Sequence, residues 1–157
     1  MNLLLAVGAF VVMEGVSYAA HRWVMHGFAL GWHRSHHAPP RGNVERNDLF
    51  PVCFSVVGIA LFAAGALGVK AAWWIGVGVT AYGACYLFVH EVYIHHRLRV
   101  PVPHLRYLEW LRESHRAHHA SGHEPYGMLL PLVRGPSRDD DRDPLDRSSA
   151  RRQRSRL

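Results

Sequence analysis

The chain contains few cysteines and few charged residues. It has two cysteines, Cys53 and Cys85, among 157 residues, which excludes a disulfide-stapled scaffold and a cysteine-based zinc ribbon. Charged residues make up 19% of the chain and hydrophobic residues 49%. The length fits one domain, since domains usually have about 100–150 residues. A mean hydropathy of −0.06 conceals how strongly apolar and charged residues are separated along the chain.

Two metal motifs of soluble enzymes are also missing. The zinc-protease motif His-Glu-x-x-His does not occur, and the nearest match, from His90 through Glu91 to His95, has one residue too many. The Glu-x-x-His helix motif of soluble carboxylate di-iron bundles is absent as well. Any metal site in this chain must therefore be built differently.

Three long stretches contain almost no charge. Residues 3–20 include only Glu14, and residues 52–69 and 71–89 include no Asp, Glu, Lys or Arg. Each stretch is close to the roughly 20 residues that a helix needs to cross the hydrocarbon core. A cleaved signal peptide is a poor alternative for the first stretch, which lacks a basic start. The sequence predicts an all-α integral membrane helical bundle with three transmembrane helices, and a fourth is left open.

The basic residues indicate the orientation of these helices. Of 18 Lys and Arg, only Lys70 lies at the turn between the second and third stretches. The others lie in the 21–51 loop or after His90, and the positive-inside rule makes that side cytoplasmic. The sequence thus predicts an N-terminus that faces outward.

The C-terminal end has a different composition. Residues 134–157 include eight Arg and five Asp, so we expect a disordered tail after a membrane-embedded domain at 1–133. The tail is interpreted as solvated, with contact to anionic lipid as the alternative. Nucleic-acid binding is not expected, because the arginines are mixed with aspartates and lack interleaved aromatics.

Eleven of the 13 histidines form four groups at or beyond the predicted cytoplasmic ends of the spans. The groups are His21 and His26; His33, His36 and His37; His90, His95 and His96; and His115, His118 and His119. Topology therefore collects them at one membrane face. Metal-scavenging tracts are low-complexity, whereas these groups repeat fixed spacings, so we interpret them as a metal site.

The spacings have a geometric meaning. Residues at i, i+3 and i+4 lie within an arc of about 100° on an α-helix, so each of the triplets 33–37 and 115–119 is expected to aim at one point. The pairs 21/26 and 90/95 are five residues apart, which rotates the second side chain by about 140°. Such pairs suit ligands that flank a site or reach two neighbouring metals.

The pairs and triplets together supply ten imidazoles, without His96. One ion takes about four to six ligands, so ten imidazoles predict a two-metal centre with open positions. Imidazole suits zinc, copper, iron and nickel, and the spacing does not choose among them.

Four more residues are candidate hydrogen-bond partners of the ligands: Glu14, Glu91, His96 and His104. Glu14 lies about two turns before His21 on nearly the same face, and an intramembrane carboxylate is a functional candidate. A helix–helix hydrogen bond is the alternative role for Glu14. A structural role at the membrane interface is the alternative for His104, as it is for His123.

The histidine series resembles the four-box signature of the non-haem di-iron β-carotene hydroxylases, within the wider fatty-acid hydroxylase and sterol desaturase superfamily. The boxes are His21-x4-His26, His33-x2-His36-His37, His90-x4-His95 and His115-x2-His118-His119. Residues 21–28, 31–37 and 100–104 are similar to the bacterial carotenoid type, and the resemblance covers about residues 10–133. The family pattern does not use His96 and is usually drawn with four spans.

The resemblance implies an O2-dependent monooxygenase whose ten box histidines bind two iron ions, with no further catalytic residue. The implied reaction is 3-hydroxylation of β-ionone rings, from β-carotene through β-cryptoxanthin to zeaxanthin, on a carotenoid taken from the bilayer. The implied location is the bacterial cytoplasmic (inner) membrane, with the boxes facing the cytoplasm. The resemblance leaves the oligomeric state open.

Electrons must come from outside, because the sequence contains no flavin, nicotinamide or haem motif. The resemblance implies a ferredoxin-like donor. Five arginines are candidates for docking an acidic donor: Arg97, Arg99, Arg106, Arg112 and Arg116. The alternative is that they are ordinary basic residues of a cytoplasmic loop, as the positive-inside rule predicts. One alternative is a fatty-acid or sterol hydroxylase or desaturase with the same centre. Another is a membrane metal-binding or transport protein, but a transporter would place its histidines near the bilayer midplane.

Overall fold

The computed structural model describes residues 2–38, 44–98 and 100–131. These ranges are helical and contain no strand. The elements in chain order are α1 (Asn2–Ala19), continued by a first π-helix (Ala20–Phe28); α2 (Leu30–His33); a 3₁₀ turn (Arg46–Asp48); α3 (Leu49–Ala66); α4 (Lys70–Leu87), continued by a second π-helix (Phe88–Ile94); and α5 (Arg106–Ser121). The predicted tail at 134–157 lies outside the described residues.

Three helical stretches are long and apolar enough to cross a membrane: Asn2–Phe28, Arg46–Ala66 and Lys70–Ile94. This confirms the prediction of an all-α membrane bundle with three spans. The described residues contain no fourth span, because α5 carries Arg, Glu or His in every turn. Apolar side chains cover the outer faces of the spans, with Val56 59% and Ile59 68% exposed, as expected for surfaces that face lipid.

The bundle is held by close contacts at small residues. Helix α4 packs between α1 and α3. A Cβ atom added at Gly78 of α4 would lie 2.8 Å from the Cβ of Ala9, and one added at Gly65 of α3 would lie 2.7 Å from the Cβ of Trp73. Both distances are too short for carbon atoms in contact, so glycine permits this approach, as is common between membrane helices.

The fold brings four histidine-bearing elements to one end of the bundle. Helices α1 and α4 run in the same direction, so both π-helices lie at the end where α3 begins. Helix α5 packs against the second π-helix and ends at Gly122, whose φ of +70° gives the left-handed C-terminal cap that glycine favours. The chain from residue 122 to residue 131 then returns across the first π-helix, where the carbonyl of Tyr126 contacts His21.

Candidate metal centre

The two pairs with five-residue spacing are positioned by the two π-helices: His21 and His26 lie within the first, and His90 lies within the second, which ends just before His95. A π-helix is closed by hydrogen bonds from residue i+5 to residue i, and the backbone N–H of His95 donates to the carbonyl of His90 at 3.0 Å. Residues five apart therefore stack on one face instead of diverging as on an α-helix. The ring centroids are 5.2 Å apart in His21/His26 and 4.6 Å apart in His90/His95. The π-helical backbone thus brings the two rings of each pair close together.

Nine of the ten predicted ligands form two compact groups. Within each group, the candidate ligand nitrogens lie within 4.8 Å of one another. The first group consists of His21, His26, His33, His37 and His118, and the second of His36, His95, His115 and His119. Each group contains enough imidazoles for one metal ion, since a closed tetrahedral site needs about four ligands.

The three-histidine boxes contribute to both groups. His33 and His37 lie in the first group and His36 in the second, while His118 lies in the first and His115 in the second. The expectation that each triplet aims at one point is therefore wrong. The reason on α5 is that an arc of about 100° is wide enough for its side chains to reach two sites. In the box from His33 to His37, helix α2 ends before His36, so the turn that follows the helix sets the directions of the side chains of His36 and His37.

The two groups are direct neighbours. The rings of His37, from the first group, and His119, from the second, are stacked with centroids 4.2 Å apart and planes 15° apart. The ring of His36 lies 5.7 Å from that of His33 across the same boundary. Two ions held by these groups would therefore share one site.

Hydrogen bonds from outside the centre fix which ring nitrogen faces inward. Nδ1 of His21 donates to the Tyr126 carbonyl at 2.9 Å, and Nδ1 of His33 donates to Oδ1 of Asn47 at 2.7 Å. A neutral imidazole has one N–H, so both Nε2 atoms carry lone pairs. These two Nε2 atoms lie 3.2 Å apart, and neither can donate to the other. A bound metal cation would satisfy both lone pairs.

The same arrangement occurs at His118. Its Nδ1 donates to the carbonyl of His123 at 2.6 Å, and its Nε2 faces Nε2 of His26 at 3.0 Å. In the second group, Nε2 of His36 and Nε2 of His119 are buried without a hydrogen-bond partner. Buried unsatisfied nitrogens are costly, and metal coordination would remove that cost. The donor set therefore fits bound metal.

The protonation state of the rings supports metal binding as well. Burial lowers the pKa of His33 to about 4 and the pKa values of His95 and His118 to about 3. Burial also lowers the pKa of His119 to about 2. These imidazoles are neutral near pH 7, and a histidine must be neutral to coordinate a metal.

His90, the tenth predicted ligand, belongs to neither of the two groups whose ligand nitrogens lie within 4.8 Å of one another. Its ring centroid lies 4.7 Å from that of His36 and 4.6 Å from that of His95, so it borders the second group. Its Nδ1 donates to Glu91 at 2.6 Å, and the other Glu91 oxygen accepts from Arg97 at 2.8 Å. Glu91 therefore orients the ring of His90, as carboxylates commonly do for metal-ligating histidines.

Glu14 contacts the centre indirectly. Its carboxylate accepts the hydroxyl of Tyr82 at 2.7 Å and the backbone N–H groups of residues 128, 129 and 130 at 2.9–3.1 Å. The expectation that Glu14 bonds the ring of His21 is wrong, and the helix–helix alternative describes its contact with Tyr82. Glu14 instead anchors the returning segment that carries Tyr126, whose carbonyl holds His21.

The other two candidate partners lie apart from both groups. His96 is exposed and has a φ of +51°. The side chain of His104 is 79% exposed, and its Nδ1 donates to Glu109 at 2.8 Å. Glu109 in turn accepts the hydroxyl of Tyr93. Neither histidine is hydrogen-bonded to a predicted ligand in the described part of the chain.

Sequence reasoning missed the residues that orient the ligands from outside. Asn47 is 4% exposed, but a lone asparagine in a polar loop has no distinguishing pattern. The other two acceptors are the backbone carbonyls of His123 and Tyr126. No residue type indicates a carbonyl contact, so only the path of the chain after α5 could reveal these bonds.

Comparisons with known proteins agree with this architecture. A β-carotene hydroxylase of Pseudescherichia vulneris is 44% identical over 76% of this chain and 69% of that protein. A β-carotene hydroxylase of Paracoccus sp. (strain PC1) is 36% identical over 96% of this chain and 94% of that protein, and one of Pantoea ananas is 41% identical over 76% and 69%. No solved structure matches the chain. The fatty acid hydroxylase family model matches residues 6–134, and this chain belongs to that family.

Proposed function

We propose that this chain is a β-carotene 3-hydroxylase with a di-iron centre, converting β-carotene through β-cryptoxanthin to zeaxanthin. The observation that carries the proposal is the pair of adjacent histidine groups, in which inward-facing lone pairs of His21 and His33 oppose each other at 3.2 Å. The named carotene hydroxylases that resemble the chain over most of its length support the substrate. The paired groups favour two ions, and imidazole donors suit iron.

The reaction requires an external reductant. One C–H bond, one O2, two electrons and two protons give one C–OH group and one water. When bound, two ferrous ions would supply the redox chemistry that reduces O2 and breaks the C–H bond. We assign the electrons to a ferredoxin-type iron–sulfur protein, because the sequence contains no flavin, nicotinamide or haem motif.

The residues of the chain hold the ligands rigidly. Asn47 and the carbonyl of Tyr126 keep the Nε2 lone pairs of His33 and His21 aimed inward. Glu91 accepts a hydrogen bond from Nδ1 of His90, which turns Nε2 of that ring away from the carboxylate. The burial of His118, at 0% exposed, keeps water from its ring. Preorganised ligands of this kind lower the cost of rearranging the site during turnover.

We place the protein in a bacterial cytoplasmic membrane with the histidine groups facing the cytoplasm. Basic residues outside the α3–α4 turn favour this orientation, and a soluble electron donor could reach that face. Three of the arginines considered for donor docking form ion pairs with carboxylates: Arg97 with Asp48, Arg112 with Glu109, and Arg116 with Glu113. Arg99 lies outside the described residues.

The alternative substrates and functions are less well supported. A fatty acid or sterol substrate is not favoured, because the relatives that match most of the chain are named as carotene hydroxylases. A transporter is disfavoured because both groups lie at one end of the bundle instead of along a pathway near the midplane. These alternatives predict different products, so one experiment separates them.

The test is expression in a heterologous cell that accumulates β-carotene and contains a working ferredoxin supply, followed by pigment chromatography. We expect zeaxanthin and the mono-hydroxylated intermediate. The matched control is His118→Ala, produced at the same membrane level, which should leave β-carotene unchanged. Unchanged β-carotene with the wild-type chain would overturn the carotenoid assignment, and hydroxylated fatty acids or sterols alone would favour the alternative.

A further inference from the structure

A large apolar cavity lies between the three spanning helices. Its volume is about 490 Å³, within the range of about 300–1,000 Å³ that is usual for small-molecule sites. It is lined by Met13, Ser17, Ala20 and Met25 from the first span, by Phe50, Pro51, Phe54, Ser55, Gly58, Ile59 and Phe62 from α3, and by Val79, Thr80, Tyr82, Gly83, Ala84, Tyr86 and Leu87 from α4. The structure offers this space within the membrane-spanning part of the bundle.

One end of the cavity lies next to the metal centre. Met25 lies in the first π-helix between His21 and His26, and it lines the cavity. Tyr86 lines the cavity and stacks on the ring of His90, with centroids 5.1 Å apart and planes 27° apart. A molecule in the cavity would therefore have one end beside the histidine groups.

The chemistry of the walls selects an uncharged hydrocarbon. None of the lining residues is Asp, Glu, Lys, Arg or His. The hydroxyl of Ser55 donates to the carbonyl of Pro51 at 2.8 Å, and the hydroxyl of Tyr82 donates to Glu14 at 2.7 Å. Because the protein itself takes these hydrogen bonds, the walls offer a ligand mainly apolar and aromatic surface. An acyl lipid would find no cation in the cavity for its headgroup.

The shape and exposure of the walls favour lateral entry. The lining residues extend along α3 from residue 50 to residue 62, about 18 Å at 1.5 Å per residue. Ile59, at 68% exposed, and Gly83 are both accessible on the lipid-facing surface. The cavity is thus elongated along the membrane normal and open toward the acyl chains.

We propose that this cavity binds the cyclic end of a long isoprenoid hydrocarbon, together with the start of its polyene chain, directly from the bilayer. The inference rests on the proposed function and adds to it the place where the substrate ring lies. Aromatic side chains on opposite walls, Phe54 on α3 and Tyr86 on α4, would pack against the flat conjugated chain. The ring would point toward the histidine groups, where hydroxylation requires it.

The test uses glycines where an added side chain has room. A Cβ at Gly83 would meet no atom within 4 Å, and Gly83 lines the cavity, so we expect a larger side chain at this position to extend into the cavity. Gly8 on α1 offers the matched control, because its Cβ would also meet nothing within 4 Å and it does not line the cavity. The variants are Gly83→Ala, Gly83→Val, Gly83→Leu and Gly8→Leu. Ser55→Leu fills the cavity from the opposite wall.

Two measurements are made on each variant. The first is β-carotene retained per chain when pigment-accumulating cells are freed of O2 before the protein is induced and the protein is then purified without O2, since no turnover occurs without O2. The second is the apparent KM for β-carotene at equal iron content. We expect retained pigment to fall and KM to rise with side-chain size at position 83, reaching about tenfold for Gly83→Leu. Ser55→Leu should behave alike and Gly8→Leu should match the wild type.

The outcomes separate the two proposals. If Gly83→Leu and Ser55→Leu both match Gly8→Leu in retained pigment and KM, the cavity is not the substrate site, even though the wild type hydroxylates β-carotene. If the wild type hydroxylates no carotenoid, the proposed function fails. In that case the retained pigment alone tests the cavity, and equal retention of β-carotene by Gly83→Leu and wild type overturns the cavity proposal as well. Should Gly83→Leu fail to accumulate, Gly83→Val and Ser55→Leu carry the same comparison.

Discussion

His36 and His37 are neighbours in the chain, but their imidazoles belong to different ligand groups. Nε2 of His36 is buried in the second group without a partner. Nε2 of His37 lies 3.1 Å from Nε2 of His33 in the first group. A step of one residue therefore crosses from one ligand group to the other.

This relationship predicts that His36→Ala and His37→Ala lose different ions. Each variant should be inactive and should retain about half of the wild-type iron, because each change removes one donor from one group. The measurement is iron per chain by elemental analysis of purified protein.

The double variant His36→Ala/His37→Ala provides the control for this interpretation. If the two histidines serve separate ions, the double variant should lose nearly all of its iron. If it retains as much iron as either single variant, both histidines serve one ion, and the division into two groups is wrong.

The sequence predicted the spans and the collection of histidines because both depend on composition. A stretch such as residues 71–89 is free of charge, and hydropathy alone decides that it crosses the membrane. The positions of the boxes at or beyond the span ends follow from that topology. These features need no knowledge of packing.

The sequence did not predict how the ligands are divided. The five-residue spacing of His21 and His26 fits one face only because the backbone is π-helical, and local propensity does not indicate a rare π-helix. The partners of Glu14 depend on the return of the chain after α5, which brings residues 128–130 back to α1. Such contacts are long-range in sequence, so no local pattern encodes them.

A second prediction separates His95 from His96. Nε2 of His95 lies 3.0 Å from Nε2 of His115 within the second group, so His95→Ala should lose iron and activity. His96 is exposed and has a φ of +51°, so His96→Ala should keep substantial activity and wild-type iron.

The comparison is made at matched protein levels, with iron and product measured in both variants. His96→Gly serves as a control for the backbone, because glycine adopts a positive φ without steric cost. Loss of iron in His96→Ala together with retention in His95→Ala would show that the third box uses the other histidine.

A third prediction concerns Glu14, which joins α1, Tyr82 and the segment that holds His21. Glu14→Gln replaces one of the two acceptor oxygens with an N–H2 group. The change removes either the bonds from the N–H groups of residues 128 and 130, or the bonds from the N–H of residue 129 and the hydroxyl of Tyr82. Hydrogen bonds to charged groups contribute about 1.5–3 kcal/mol each, so we expect a loss of stability of at least about 2 kcal/mol and partial loss of iron. The measurements are the thermal unfolding midpoint in detergent and the iron content.

The control for this change is Glu113→Gln, whose side chain is 66% exposed and pairs with Arg116 at 3.8 Å. Exposed ion pairs contribute about 0–1 kcal/mol, so this variant should behave as wild type. Equal melting and equal iron in Glu14→Gln and wild type would show that the returning segment keeps its position without the carboxylate.

A fourth prediction compares two glycines of α4 that differ in their surroundings. A Cβ at Gly78 would lie 2.8 Å from the Cβ of Ala9, whereas a Cβ at Gly83 would meet nothing within 4 Å. Gly78→Ala should therefore force α1 and α4 apart and destabilise the bundle by about 1–3 kcal/mol. Gly83→Ala should leave the stability unchanged or raise it by up to about 1 kcal/mol, because alanine favours the helical backbone.

Both variants place the same methyl group on the same helix, so the difference between their unfolding midpoints reports the α1–α4 contact alone. Equal midpoints would mean that α1 and α4 do not need the close approach at Gly78, and that the packing of the first span against α4 has been assigned to the wrong face.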